Sequence, residues 1–290
     1  MRYAFIALNR TEWPVPIQCR TLAVSVSGFW SWVKRPLSER KVQDSVIAEH
    51  ILTSYQATDG IYGEPRIRAD LAAAGVKVGR RRVARIMREL GIEGVSGRTR
   101  RSIRTTISDP NHPKASNILN RDFTAERPNQ SWVTDITVIE TGEGPLYVAA
   151  IEDLYSRKVV GWAIDIHMET SLVTRALKAA ISARNVAPEL LHHSDRGCQY
   201  TSTDYQQLLA DYAMTPSMSR KGNCHDNACA ESFWARLKVE CIYRTTFPTR
   251  EAARAAVFRY IEVFYNRTRR HSALGYLSPD AFEAQHADVA

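Results

Sequence analysis

The sequence predicts an α/β protein, a mixed sheet with helices on both faces, preceded by a small all-α domain. Three runs of residues, 131–139, 145–151 and 157–165, are rich in β-branched side chains and are separated by turn signals, which predicts an antiparallel meander. After residue 171, helical and strand-like patterns alternate, as they do in α/β sheets. Residues 42–92 contain three short helical patterns.

Residues 1–41 are predicted to be an N-terminal helical segment. One helix is expected over about Val15 to Leu22 and a second over Gly28 to Lys34, which Pro36 ends because the residue before a proline disfavours helix. Two short helices joined by a turn suggest DNA binding, but Phe29, Trp30 and Trp32 fit core or partner packing equally well.

Residues 42–96 are predicted to be a helix-turn-helix DNA-binding domain. The second of its three helices opens at Glu64-Pro65, and proline is favoured in the first turn of a helix. The third, Arg80 to Leu90, places apolar residues on one face at helical spacing. Its other face carries five candidate DNA-binding residues: Arg80, Arg81, Arg82, Arg85 and Arg88. A solvated basic face is the alternative interpretation.

The remaining boundaries follow from changes in composition. Residues 97–126 are predicted to be a basic linker in which Arg100 and Arg101 bind DNA. Residues 127–244 form the predicted α/β core, with helices expected over 171–184, 203–211 and 226–241 and short strands over 189–193 and 213–216. Residues 245–290 are a predicted C-terminal helical extension whose basic turn offers Arg269 and Arg270 to DNA.

The charge distribution also points to a nucleic-acid partner. Residues 1–110 carry 19 Lys and Arg against 10 Asp and Glu, whereas the net charge of the whole chain is +8. The excess positive charge therefore lies in the N-terminal part, as expected where a protein follows a phosphate backbone. No apolar run approaches the roughly 18 residues of a membrane span, and the five cysteines are irregularly spaced. These features predict a cytoplasmic protein with free thiols and no membrane partner.

Three acids are the candidate catalytic residues. Asp135 lies in the middle of a predicted strand, where a carboxylate is unfavourable without a partner or a metal. Asp195 follows a short apolar strand, and Glu231 lies in a helical segment. Magnesium needs only one or two protein carboxylates per ion, and two ions about 4 Å apart assist in-line substitution at phosphorus. The spacing alone does not distinguish these acids from surface residues or helix caps.

Five motifs stand out along the chain: the block from Tyr62 to Gly91, Trp132 to Thr137, His193 to Tyr200, Gly222 to Trp234 and Tyr265 to His271. Together they resemble one known family, the integrase-core (DDE) transposases of bacterial insertion sequences. The similarity is to the second-frame product of insertion-sequence family three, a group related to retroviral integrases, and it covers nearly the whole chain.

The resemblance implies an RNase H-like catalytic core that uses Asp135, Asp195 and Glu231 with Mg²⁺ or Mn²⁺, for which we expect two ions. It implies transposition by DNA strand cleavage and 3′-OH strand transfer on double-stranded DNA. We also expect self-association and a partnership with the upstream-frame product. Lys238, two helical turns after Glu231, is a candidate DNA contact, and His193 and Asn227 are candidates for supporting the acids.

Two other functions remain open at this point. A plain RNase H-like nuclease would use the same acids but would not join strands. A DNA-binding regulator of transposition would use the N-terminal helices and perform no chemistry. The charge distribution does not separate these two functions from transposition, because each would combine a basic N-terminal part with the same core.

Overall fold

Two groups of helices precede the sheet. The computed structural model describes residues 1–36, 38–96, 113–221 and 223–287. Within these ranges, six α-helices precede the sheet: α1 (Arg2–Leu8), α2 (Val15–Thr21), α3 (Val26–Lys34), α4 (Glu39–Ala57), α5 (Glu64–Ala73) and α6 (Arg80–Glu89). The predictions of α2, α3, α5 and α6 are confirmed to within two residues, whereas α1 was not predicted.

A small core joins α1, α2 and α3. Ile6, Cys19 and Phe29, one from each helix, are fully buried against one another. The side chain of Ser25 caps α3 by accepting the Gly28 N–H at 3.1 Å. The sequence of α1 has weak helical signals of its own. The burial of Ile6 against α2 and α3 therefore stabilises this helix.

The three helices α4, α5 and α6 bury a second core at the spacing that the sequence predicts. Ile51, Ile67, Val83 and Ile86 are at most 2% exposed and pack together. Ser38 caps α4 by accepting the Lys41 N–H, and a proline in the first turn begins α5. Helix α6 therefore presents its basic residues on the side away from this core.

The sheet has five strands, and its order explains how the candidate site is assembled. The strands are β1 (Ser131–Ile139), β2 (Leu146–Asp153), β3 (Val159–Asp165), β4 (Leu191–Ser194) and β5 (Thr215–Met218). Their order is β3-β2-β1-β4-β5. The pairs β1–β2 and β2–β3 are antiparallel, whereas β1–β4 and β4–β5 are parallel. This mixed sheet has the RNase H-like arrangement that the resemblance implied.

Helices cover both faces of the sheet. Six follow β3 along the chain: α7 (Thr170–Ala183), α8 (Cys198–Thr201), α9 (Thr203–Asp211), α10 (Ala228–Glu240), α11 (Arg250–Phe258) and α12 (Pro279–Gln285). Ala149 and Ile151 of β2 pack against α7 on one face, and Val148 and Ala150 pack against α10 and α11 on the other. The alternation follows from the two-residue period of a strand. None of the helices within the described ranges is both long and apolar enough to cross a membrane.

The helix-turn-helix unit docks onto the end of the core. The Tyr62 hydroxyl donates to the Thr268 carbonyl at 3.1 Å and accepts the Arg270 N–H at 2.7 Å. Arg66 donates through Nε to the Arg270 carbonyl at 3.0 Å. The ring of Phe264, in the π-helical stretch after α11, packs against Tyr62 with centroids 6.2 Å apart. This interface attaches the helix-turn-helix unit, which includes the basic helix α6, to the end of the core.

Candidate active site

Asp135 lies at the centre of β1, paired with Ala150 of β2. It shares a sheet face with Val133 and Ile139, because alternate residues of a strand point the same way. Val133 packs against Ala230, and Ile139 contacts the apolar face of α10. Asp135 is half-buried, and its Oδ1 accepts the Ile136 N–H at 2.8 Å. Its carboxylate is therefore directed into the region between β1 and α10.

Asp195 follows the last residue of β4, the parallel neighbour of β1. The register pairs Val133 with His193, and the same offset two residues further brings Asp195 level with Asp135. The Asp195 Oδ1 accepts the Gly197 N–H at 2.8 Å, which fixes the carboxylate at the turn. Carboxyl ends of parallel strands form the usual ligand-binding edge of an open α/β sheet.

Glu231 lies in the first turn of α10 and is exposed. Helix α10 is attached to β1 just before this turn, because the Asn227 Nδ2 donates to the Thr134 carbonyl at 3.1 Å. Ala230 is buried beside Val133. These contacts hold the first turn of α10, which carries Glu231, against the middle of β1.

The charges of Asp195 and Glu231 both act on Asp135. Burial, followed by the nearby charge of Asp195 and then that of Glu231, raises the pKa of Asp135 to about 8. The Ile136 N–H and the Lys238 ammonium oppose this shift. Burial also raises the pKa of Glu231, against the opposing charge of His225. Nearby like charges disfavour the ionised form of Asp135, and a cation bound there would relieve this cost.

The donor set fits a hard divalent cation. Carboxylate oxygens are the ligands that Mg²⁺ prefers, and it completes its coordination with water and phosphate oxygens. Within the described ranges, no three His, Cys, Asp or Glu side chains lie close enough together to hold a metal ion as they stand.

The two supporting candidates differ in what they contact. Asn227 is buried and ties α10 to β1, and its Oδ1 is buried without a hydrogen-bond partner. His193 is fully buried between serines, with Nδ1 2.9 Å from the Ser217 hydroxyl and Nε2 3.1 Å from that of Ser219. Burial lowers the pKa of His193 to about 4, so the ring is neutral and joins β4 to β5.

The candidate DNA-binding residues of α6 divide into two groups. Arg82 and Arg85 each donate to Asp44 of α4 at 2.7 Å, and these hydrogen bonds lower the pKa of Asp44. Arg81 and Arg88 are exposed, and Arg80 is 80% exposed although its Nε lies 3.1 Å from Glu64. The predicted linker residues Arg100 and Arg101 lie outside the described residues.

The structure corrects the prediction for the basic turn after residue 265. Arg269 is 2% exposed, and its Nε and Nη2 donate to the two Glu240 oxygens, each at 2.6 Å. It cannot reach a phosphate while it is buried in this pair. Arg270 is half-buried, pairs with Asp70 and donates to the Tyr276 carbonyl at 2.8 Å. Both arginines therefore hold parts of the fold together, and DNA contact was the wrong prediction for Arg269.

Sequence reasoning missed a polar centre beside the acids. Asp226 is completely buried and accepts hydrogen bonds from Arg121 and Arg220. Asp226 reads as an ordinary helix-capping residue in the sequence, and Arg121 lies 105 residues away from it. Only the run of polar residues between β5 and α10 signalled an unusual segment.

Sequence comparisons agree with this architecture. The Integrase core domain family matches residues 125–224, a second Integrase core domain family matches residues 212–279, and an HTH-like domain family matches residues 41–101. The HTLV-2 integrase catalytic core domain, solved in complex with magnesium, is similar at a TM-score of 0.42 and 16% identity. That likeness covers 55% of this chain and 99% of the other.

Two relatives match almost from end to end. An uncharacterized 31 kDa protein of insertion element IS600 from Shigella sonnei is 41% identical over 94% of this chain and 99% of its own length. Transposase InsF for insertion sequence IS3A from Escherichia coli (strain K12) is 40% identical over 98% of each chain. The chain therefore belongs to the insertion-sequence transposases that carry an HTH-like domain ahead of an integrase core domain.

Proposed function

We propose that this transposase cuts DNA at the ends of its element and transfers the freed 3′-hydroxyl to target DNA, using Asp135, Asp195 and Glu231. The observation that carries the proposal is the placement of the acids: Asp135 lies at the centre of β1, Asp195 follows its parallel neighbour β4, and Glu231 lies in the helix that Asn227 attaches to β1. A strand centre, a strand end and a helix thus supply carboxylates to one region. In each step a new P–O bond forms as the old one breaks, the attacking oxygen loses a proton and the leaving 3′-oxygen gains one.

We propose that the three carboxylates hold two Mg²⁺ or Mn²⁺ ions. Such ions activate the attacking oxygen and stabilise the leaving oxygen in substitution at phosphorus. Asp135, whose pKa responds to the charges of both other acids, would hold such ions together with Asp195 and Glu231. Asp195 is held by the Gly197 N–H, and Asn227 fixes the helix that carries Glu231.

The cationic residues supply the DNA contacts in this proposal. Lys238 is half-buried and close enough to Asp135 for that charge to oppose the lowering of its pKa by burial. It is therefore placed to meet a phosphate at the edge of the acidic site. Arg80, Arg81 and Arg88 face outward from α6 and provide the contacts of the helix-turn-helix unit with duplex DNA.

The proposed partners are double-stranded DNA, further copies of the chain and the upstream-frame product. Two element ends must be brought together for strand transfer, which supports self-association. The N-terminal helices leave large apolar side chains exposed, among them Leu8 at 83%, Trp13 at 64% and Trp30 at 45%. Such a surface supports binding of another protein. The site of action we propose is the cytoplasm, since bacterial DNA lies there.

The test is a reaction of the purified full chain with Mg²⁺ and a duplex that bears the element's ends. We expect joined products, and we expect Asp135→Asn to abolish them while DNA binding persists. Glu140→Gln is the matched control, because Glu140 is an exposed acid just beyond the end of β1.

Three results would contradict the proposal. Cut products without joined products would indicate a plain nuclease. Binding without chemistry by the unaltered chain would indicate a regulator. Full activity of Asp135→Asn would remove the acidic triad from the reaction.

A further inference from the structure

A group of basic residues lies at the carboxyl ends of the parallel strands, next to the acidic site. The group, which we call the basic rim, consists of Arg121, Arg196, Arg220 and Lys221. The Ser219 N–H donates to the Ser194 carbonyl at 2.9 Å, so the β4–β5 pairing continues to the residue before Arg220. Arg196, which follows Asp195, donates through Nε to the Ser219 carbonyl at 2.7 Å. These contacts fix the basic rim beside the second acid of the triad.

Asp226 organises two members of the basic rim. It is completely buried five residues before Glu231. Arg220 donates to it through Nε and Nη2, each at 2.8 Å, and through its backbone N–H at 3.0 Å. Arg121 donates through Nε at 2.8 Å, and the Asn117 amide donates at 3.0 Å. The Arg220 hydrogen bond, more than any other contact, holds the pKa of Asp226 far below its usual range, so the carboxylate is ionised.

The two arginines remain accessible although one edge of each is held. The side chains of Arg121 and Arg220 are 45% and 50% exposed. A guanidinium has five N–H donors in a fixed plane, so bonds to Asp226 leave donors for a second anion. Because Asp226 has already fixed each plane, binding such an anion costs little further side-chain entropy.

We propose that Arg121 and Arg220, held in place by Asp226, bind backbone phosphates of the DNA strand that lies at the acidic site. This subsite rests on the proposed function, because it places DNA at the triad. The four cations of the basic rim outnumber the one buried carboxylate of Asp226. They counter the repulsion that three carboxylates would exert on a polyanion. Planar guanidinium groups match the geometry of phosphate oxygens.

The test measures binding of the full chain to a short duplex of random sequence, by fluorescence anisotropy in EDTA, over a series of salt concentrations. Each lost phosphate contact is expected to reduce the slope of log affinity against log salt by about 0.9. Arg121→Gln and Arg220→Gln should each show this reduction. Arg121→Lys and Arg220→Lys, which keep the charge, should retain a slope close to that of the unaltered chain.

Arg175→Gln is the matched control. Arg175 is also 50% exposed and paired with an aspartate, Asp165, but it lies by β3, at the opposite edge of the sheet from β5. Its slope should equal that of the unaltered chain. Removing Arg220 alone leaves the buried Asp226 short of partners. The double variant Arg220→Gln/Asp226→Asn removes the same guanidinium without leaving an unpaired buried carboxylate, and its net charge equals that of the unaltered chain. Circular dichroism identifies the variants that fold.

An unchanged slope in the folded glutamine variants, or in the double variant, would overturn the proposal and leave Asp226 a purely structural residue. An equal reduction in Arg175→Gln would also overturn it, because the effect would then report total charge. Failure of the catalytic proposal can be told apart from failure of this subsite, because EDTA removes divalent cations and the assay then measures DNA binding without cleavage. A reduced slope without any cleavage by the unaltered chain would support the subsite and count against the catalytic proposal only.

Discussion

At the scale of single residues, the fold disfavours the ionised form of Asp135. A bound cation would remove that cost. The carboxyl group of Asp135 is half-buried, and burial, followed by the charges of Asp195 and Glu231, raises its pKa to about 8. The compensating contacts come from two neighbours, the Ile136 N–H and the Lys238 ammonium. Substitution of a residue that positions the acids should therefore change the Mg²⁺ concentration needed for cleavage as well as the cleavage rate.

Asn227→Ala tests this positioning. The substitution removes the hydrogen bond to the Thr134 carbonyl, so α10 should hold Glu231 less well. We expect cleavage to fall by about 10- to 100-fold and the Mg²⁺ concentration for half-maximal cleavage to rise. Ser232→Ala, which changes an exposed residue of the same helix, is the control and should behave as the unaltered chain. An unchanged Mg²⁺ requirement in Asn227→Ala would exclude a positioning role.

Glu152→Gln tests a buried acid away from the triad. Burial, opposed by Arg157 and reinforced by Asp153, raises the pKa of Glu152 from 4.5 to about 8. Between these values the folded protein keeps a proton that the unfolded chain has released, so stability falls as the pH rises. Glu152→Gln should therefore gain stability relative to the unaltered chain on going from pH 5 to pH 8, by about 1.4 kcal/mol per pH unit at most.

Urea unfolding at several pH values measures this gain. Glu251→Gln is the control, because the Glu251 side chain is 83% exposed. Parallel stability curves for Glu152→Gln and the unaltered chain would show that Glu152 is already ionised in the fold.

At the scale of elements, α7 packs closely against β3 because Gly161 of β3 has no side chain. A Cβ on Gly161 would clash with the Ala176 carbonyl and would lie 2.6 Å from the Ala180 Cβ. Gly161→Ala should therefore displace α7 and cost about 1–3 kcal/mol of unfolding free energy. Gly79→Ala is the control, since a Cβ there meets nothing within 4 Å and the residue has a negative φ. Equal losses in the two variants, measured by urea unfolding, would contradict this account of the packing.

The elements that the sequence predicts correctly are those with a local signal. The strand β1 follows from alternation and β-branching, and α5 and α6 follow from proline at a first turn and from apolar spacing. Helix α1 was missed because contacts with distant residues, Cys19 and Phe29, stabilise it. The same reason explains the error for Arg269, whose charge is neutralised by Glu240, 29 residues earlier in the chain. The triad was proposed from family motifs, because spacing does not reveal which acids converge.

At the scale of the whole molecule, Glu240 joins the helix-turn-helix unit to the core. It is buried, receives two hydrogen bonds from Arg269 and one from Tyr260, and lies 3.4 Å from Arg66 of α5. No local pattern predicts such an interface, because its partners are up to 208 residues apart.

Glu240→Gln leaves Arg269 buried with its charge uncompensated, which should cost about 3–5 kcal/mol of unfolding free energy. Chemical denaturation followed by circular dichroism measures this loss. Asp165→Asn removes a half-exposed ion pair with Arg175 and should cost no more than about 1 kcal/mol. If the two variants lost the same stability, the buried pair would not be what holds the two parts together.

The most direct test of the central claim locates the cations themselves. A structure of the full chain bound to DNA in the presence of Mn²⁺, with anomalous scattering to identify the metal, shows which side chains are ligands. We predict manganese coordinated by carboxylate oxygens of Asp135, Asp195 and Glu231 together, next to a DNA phosphate. Manganese bound at other side chains, or bound with Glu231 turned away from it, would contradict the claim.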